Sequence, residues 1–157
     1  MMETSIKEHE YWMQICIELG KQAMQDGNPP VGSILVKDKQ IIGEGREAGK
    51  SKSDITCHAE IEAIRDAVRK GNTHFLSEAL LYTTHEPCIM CSYVIRHHKI
   101  PVVVMGTEVP LIGGCSSEYP ILTTDTISIW SAPPQIITGV LKEECDLSTG
   151  DFRKNFK

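Results

Sequence analysis

The sequence predicts an α/β protein. Three observations lead there: the chain opens on an amphipathic helical pattern, β-branched apolar runs recur between helical segments, and one strand-helix-strand unit sits in its middle. Ser5-Ile6-Lys7-Glu8 fits a capping box, and Trp12, Cys16, Leu19 and Ala23 follow at helical spacing until Gly27-Asn28-Pro29-Pro30 ends the pattern. Ser33 to Lys37 and Ile41 to Glu44 flank Lys37-Asp38-Lys39-Gln40 and predict two strands joined by a tight turn. The polar stretch from Arg46 to Asp54 reads as a loop. From Thr56 to Lys70 a helix is expected, with Ile61, Ile64 and Val68 on one face and Gly71 as its stop, so that His58 and Glu60 fall in its first turn. Ala79 to Thr84 is a buried strand, Pro87 suits the first position of a helix running to His98, and Pro101 to Met105 is the returning strand. Gly106 to Pro120 reads as a long loop, Gln135 to Val140 as a last strand, and the end of the chain as a terminal helix.

At 157 residues the chain has the size of one domain, 1–157, and needs no disulfide staples. No stretch approaches the roughly 20 apolar residues of a membrane span. Met1 to Glu10 lacks the basic start and apolar run of a secretory leader, so a cytoplasmic location with reduced thiols is expected for the six cysteines. Cys16 and Cys145 read as small core hydrophobes. A net charge of −5 argues against general affinity for nucleic acid, although Asp151-Phe152-Arg153-Lys154-Asn155-Phe156-Lys157 interleaves basic and aromatic residues; an amphipathic helix end is the simpler account.

Cys57-His58-Ala59-Glu60 and Pro87-Cys88-Ile89-Met90-Cys91 carry the chemistry. A Cys-x-x-Cys at a helix start can hold its sulfurs roughly 3.8 Å apart, as tetrahedral zinc requires, and the helix amino terminus stabilises thiolates. His58 can supply a third ligand, and Glu60 can lean over the metal without ligating it. Two thiolates leave zinc formally neutral, so it acidifies water less than three imidazoles would allow, and Glu60 becomes the necessary base and proton carrier. A thioredoxin-like redox pair requires neither the preceding proline nor the His-x-Glu. A structural zinc site needs a fourth protein ligand, which Cys57, His85 or Cys115 could give only through special geometry.

These strings form the H-x-E and P-C-x-x-C pattern, and the chain resembles the cytidine deaminase-like superfamily, in the branch of tRNA-specific adenosine deaminases, guanine deaminases and fungal-type cytosine deaminases. Pro30-Val31-Gly32, Ile42-Gly43-Glu44-Gly45, Leu81-Tyr82-Thr83-Thr84 and Thr138-Gly139-Val140-Leu141-Lys142-Glu143-Glu144-Cys145 extend the resemblance over almost the whole chain. It implies a three-layer α/β/α sandwich with a central five-stranded mixed sheet, Zn2+ on His58, Cys88 and Cys91, Glu60 as proton shuttle, the Cys88 amide near the attacked carbon, and a homodimer. It also implies a substrate position eleven residues before the zinc histidine, where relatives carry asparagine and this chain carries Glu47. An ionised carboxylate only accepts hydrogen bonds, which suits a ring edge rich in N–H donors, unless Glu47 instead faces solvent. His85 is expected to line the pocket or to be a satisfied, partly buried histidine, and Asp151 and Phe152 match an acidic-aromatic pair in a helix that closes over substrate.

The expected function is therefore hydrolytic deamination of a small nucleobase or related amino-heterocycle. A tRNA adenosine deaminase is the alternative, disfavoured by Glu47, the net acidity and the short basic tail, and a noncatalytic zinc-containing interaction module is the alternative of another class.

Overall fold

The structure, a computed structural model, describes residues 4–155. Its elements are α1 (Ile6–Gln25), β1 (Gly32–Lys37), β2 (Gln40–Arg46), α2 (Gly49–Lys52), α3 (Ala59–Arg69), a 3-10 helix (Thr73–Glu78), β3 (Leu80–His85), α4 (Ile89–His97), β4 (Val102–Thr107), β5 (Gln135–Ile137) and α5 (Lys142–Asn155). The five strands form one mixed sheet in the order β2-β1-β3-β4-β5, antiparallel at β2-β1 and β1-β3 and parallel at β3-β4 and β4-β5.

Strand alternation divides the core into two layers. Ile34, Val36, Tyr82 and Val104 face α1 and α5, where they pack with Trp12, Met13, Cys16 and Cys145. Leu35, Leu81, Val103 and Met105 face α3 and α4, where they meet Ala63, Ile64, Ala67 and Ile95. This is the expected sandwich. Ser5 caps α1 by accepting from the Glu8 amide at 3.2 Å, as its capping box predicts. The β1–β2 hairpin turns through Asp38 and Lys39, both at positive φ, the conformation that matches a two-residue turn to strand twist. At Gly45 a Cβ would collide with the Ala63 amide, so α3 lies directly on β2, and its amino terminus is brought to the sheet beside the end of β2.

Several boundaries differ from those read in the sequence. The Arg46–Asp54 stretch contains the one-turn α2, stopped by Ser53 in the left-handed conformation. The connection before β3 winds into a 3-10 helix that buries Leu76. β5 ends at Ile137 because Gly139 and Leu141 take positive φ and turn the chain into α5. α4 starts at Ile89 with Cys88 as its N-cap; the carbonyl of Pro87, expected to open the helix, accepts instead from the Gly114 amide at 2.8 Å. His58 likewise is the N-cap of α3 and not part of its first turn. The terminal helix is present, and Phe156 and Lys157 of the basic-aromatic tail lie outside the described residues.

The connection across residues 108–134 is held by two buried charges. The Glu86 carboxylate accepts from the amides of Val109, Cys115 and Ser116 at 2.7, 2.7 and 2.6 Å, and from the Ser116 hydroxyl at 2.6 Å. The Arg96 guanidinium donates to the carbonyls of Ile121, Leu122, Thr124 and Ser131 between 2.8 and 3.3 Å and stacks on Trp130. An anion gathers the amides and a cation the carbonyls, which is how the covered backbone polar groups of this connection are satisfied without a ladder.

Candidate metal centre and active site

The amino termini of α3 and α4 meet at the carboxyl end of β3, and each brings a donor at its N-cap. His58 Nδ1 lies 3.4 Å from Cys88 Sγ and 3.5 Å from Cys91 Sγ, and the three donor atoms lie within 4.8 Å of one another. Tetrahedral zinc with ordinary Zn–N and Zn–S bonds places N and S about 3.6 Å apart, so this set fits the ion within a few tenths of an ångström. Among the described residues these three are the cluster able to hold a metal. Cys57 is directed toward Arg65, 3.6 Å from its guanidinium, and His85 and Cys115 stand outside the cluster. Three protein donors leave a coordination position open, the arrangement of catalytic rather than structural zinc.

Charges in the cluster are coupled. The Cys91 thiol and His58 beside it pull Cys88 down to about 4. Bonding to Cys88, together with burial and Glu60, raises Cys91 well above the ordinary thiol range. The Cys88 thiolate, with Glu47 behind it, raises His58 to about 9. A cation would replace the protons that Cys91 and His58 hold.

Glu60, buried in the first turn of α3, accepts from the Thr83 hydroxyl through Oε1 at 2.8 Å, while Oε2 faces the cluster, 3.3 Å from Cys91 Sγ. Burial pushes its carboxyl up, and the Thr83 bond opposes that. The cleft beside the cluster has a volume of about 220 Å³ and is walled by Val31, Glu47, His85, Val109 and Ile112. Glu47 sits at its edge with Oε1 4.0 Å from His58 Nε2 and Oε2 buried without a hydrogen-bond partner. Desolvation raises its carboxyl.

His85 lines the cleft but has both nitrogens engaged: Nδ1 with the Thr84 hydroxyl at 2.8 Å and Nε2 with the Thr149 hydroxyl at 2.7 Å. Thr149 lies 3.2 Å from the Cys145 carbonyl and can donate there, which leaves its oxygen to accept from Nε2–H, and burial lowers the ring to about 4, so it is neutral near pH 7. The ring docks α5 on the sheet. Asp151 and Phe152 do not line the cleft: Asp151 is exposed on the outer side of α5, and Phe152 carries the Lys50 ammonium 5.1 Å above its ring. The acidic-aromatic pair is on the expected helix, but the helix packs beside the pocket. Reading the sequence missed Thr83, Glu86 and Arg96; of these, Glu86 could have been flagged by its place beside Pro87 and Cys88.

The model of the cytidine and deoxycytidylate deaminase zinc-binding region matches residues 6–107, and the chain belongs to that family. It is 34% identical to a tRNA-specific adenosine deaminase of Streptococcus pyogenes serotype M18 over 145 residues, 92% of this chain and 89% of that protein. A tRNA-specific adenosine deaminase of Aquifex aeolicus is 37% identical over 148 residues, 92% of this chain and 94% of its own. A structure from a study of A-to-I editing by tRNA:A34 deaminases at the wobble position of transfer RNA superposes with a TM-score of 0.80 at 27% identity, over 88% of this chain and 98% of that one. The protein is a zinc-type hydrolytic deaminase with the cytidine deaminase-like fold.

Proposed function

We propose that the protein deaminates adenosine in tRNA, as a cytoplasmic zinc enzyme working through His58, Cys88, Cys91 and Glu60. The observation that carries the chemistry is the three-donor cluster with a position left open beside a buried carboxylate. The likeness to tRNA-specific adenosine deaminases over 92% of the chain supports the substrate, and it reverses the order expected from the sequence, where a small heterocycle came first. Zinc supplies a Lewis acid that makes water nucleophilic near neutral pH. Glu60 takes one proton of the attacking water on Oε2 and passes it to the ring nitrogen, then takes the second proton from the newly added hydroxyl and passes it to the departing amine. A C–O bond forms, a C–N bond breaks, and ammonia leaves. Cys88, at the N-cap of α4, lines the cleft that would hold the base.

One observation favours a second reading, a free amino-heterocycle. Glu47 lines the cleft, and its Oε2 has no hydrogen-bond partner within the protein, so a small turn of the carboxylate would present an acceptor to a bound ring. A free guanine or cytosine ring carries an N–H to meet it, whereas the adenine ring of a nucleoside carries only its amine.

Ammonia release from tRNA, guanine, cytosine, adenine and their nucleosides, with Glu60→Ala as blank, tests both readings. Release from tRNA that weakens with salt, with none from free bases, supports the first. Release from a free base alone supports the second, with Glu47→Gln slowing it sharply. Zinc without release from any of them would leave a noncatalytic module.

A further inference from the structure

Thr83 occupies a place where the core pattern calls for an aliphatic side chain. It follows Leu81 on the face of β3 that packs against α3 and α4, it is fully buried, and its neighbours across the sheet are Ser33 on β1 and Met105 on β4. A hydroxyl there is costly unless it is hydrogen-bonded. Its hydrogen has two acceptors within reach, Glu60 Oε1 at 2.8 Å and the His85 carbonyl at 3.0 Å. The Glu60 oxygen is the nearer acceptor, so it takes the hydrogen. Strand pairing on both sides fixes the Thr83 backbone, and β-branching restricts χ1, so the hydroxyl is a fixed point against which the carboxylate is oriented.

The two oxygens of Glu60 are thereby made inequivalent. Oε1 is tied to the sheet, and Oε2 is turned to the His58, Cys88 and Cys91 cluster. We propose that Thr83 is a positioning residue for the deamination: it anchors Oε1 of Glu60 so that Oε2 alone carries the two water protons in turn, one to the ring nitrogen and one to the amine. This rests on the reading of Glu60 as the proton carrier. Each proton arrives on Oε2 and leaves from Oε2 before the next is taken up, the Thr83 hydrogen stays in its bond to Oε1, and no atom of Thr83 is consumed.

The test compares wild type, Thr83→Val, which keeps the shape and removes the hydroxyl, and Thr83→Ser, which restores it. In crystals of the zinc-loaded proteins, the Glu60 carboxylate should rotate off its wild-type position in Thr83→Val and return to it in Thr83→Ser. On whichever substrate of the ammonia panel the wild type uses, Thr83→Val should lower kcat about 10- to 100-fold, the effect of losing one hydrogen bond to a charged group, with KM and zinc content unchanged and Thr83→Ser recovering most of the rate. An unmoved carboxylate, or a kcat equal to that of wild type, overturns the role of Thr83. If the wild type releases ammonia from none of the panel, the proposed function fails, and the crystallographic comparison still decides whether Thr83 fixes Glu60.

Discussion

Zinc uptake at pH 7 should expel two protons from the ligands. In the metal-free cluster Cys88 is already a thiolate, because its thiol is held down to about 4, whereas Cys91 keeps its hydrogen and His58 stays protonated up to about 9. The metal-free form therefore binds more protons, and affinity rises with pH. From about pH 5 to pH 8 the logarithm of the affinity should climb with a slope of two, about 100-fold or 2.7 kcal/mol per pH unit, falling toward one above the His58 value. Competition against a chelator of known protonation, with proton release followed in weak buffer, measures this slope. Glu60 is raised by burial and can add a proton of its own, so the same titration on Glu60→Gln isolates the ligands. A slope of one or less in that variant would mean that His58 is neutral before the metal arrives, and the coupling of the three donors would be wrong.

Cys88→Ser should lose zinc while Cys57→Ser keeps one ion per chain, because the Cys57 sulfur points at Arg65; metal analysis of the purified variants checks both. Glu86→Gln turns an acceptor of three amides and a hydroxyl into a group that also presents N–H, and should cost about 2 to 4 kcal/mol in denaturant unfolding. Gly113→Ala should have a similar effect, since the added Cβ would meet the Glu86 carboxylate. His85 has a folded value near 4 against 6.5 unfolded, so the unfolded chain binds the extra proton between them, and stability is whole above pH 6.5 and lost as pH falls toward 4. That loss amounts to at most about 3 kcal/mol and should shrink in His85→Gln, measured by melting across that range.

Patterns with a period were readable in the sequence, and those without one were not. Trp12, Cys16 and Ala23 report a buried helix face whatever packs against it, and Ile34, Leu35 and Val36 alternate because a sheet has two sides. The metal donors were legible for a related reason: Cys88 and Cys91 are local, and His58 with Glu60 is local, so each half of the site could be read before the halves met. Glu86 and Arg96 act on backbone groups far along the chain, and a bond to a backbone amide leaves no trace in the identity of the residue that supplies it. The N-cap positions of His58 and Cys88 were misread by three and two residues because a capping residue is extended while its carbonyl already serves the helix. Asp151 and Phe152 matched a pattern on α5, but it is Thr149 that joins this helix to the cleft wall, through His85.

The long connection after β4 has a consequence for how such a protein could change its substrate. Its course is held by the Glu86 and Arg96 anchors together with the Gly114 amide on the Pro87 carbonyl, the bridge between Gly113 and Cys88, and Leu122 in the core. The inner wall supplied by Val109 and Ile112 hangs from the Glu86 end, while the ligands stand on α3 and α4. Side chains of this connection that make none of these ties can therefore be exchanged with the metal floor left as it is. The molecule separates a fixed reaction chamber from a replaceable entrance, and a library confined to residues 110–119 that spares Gly113, Gly114, Cys115 and Ser116 would vary the entrance alone.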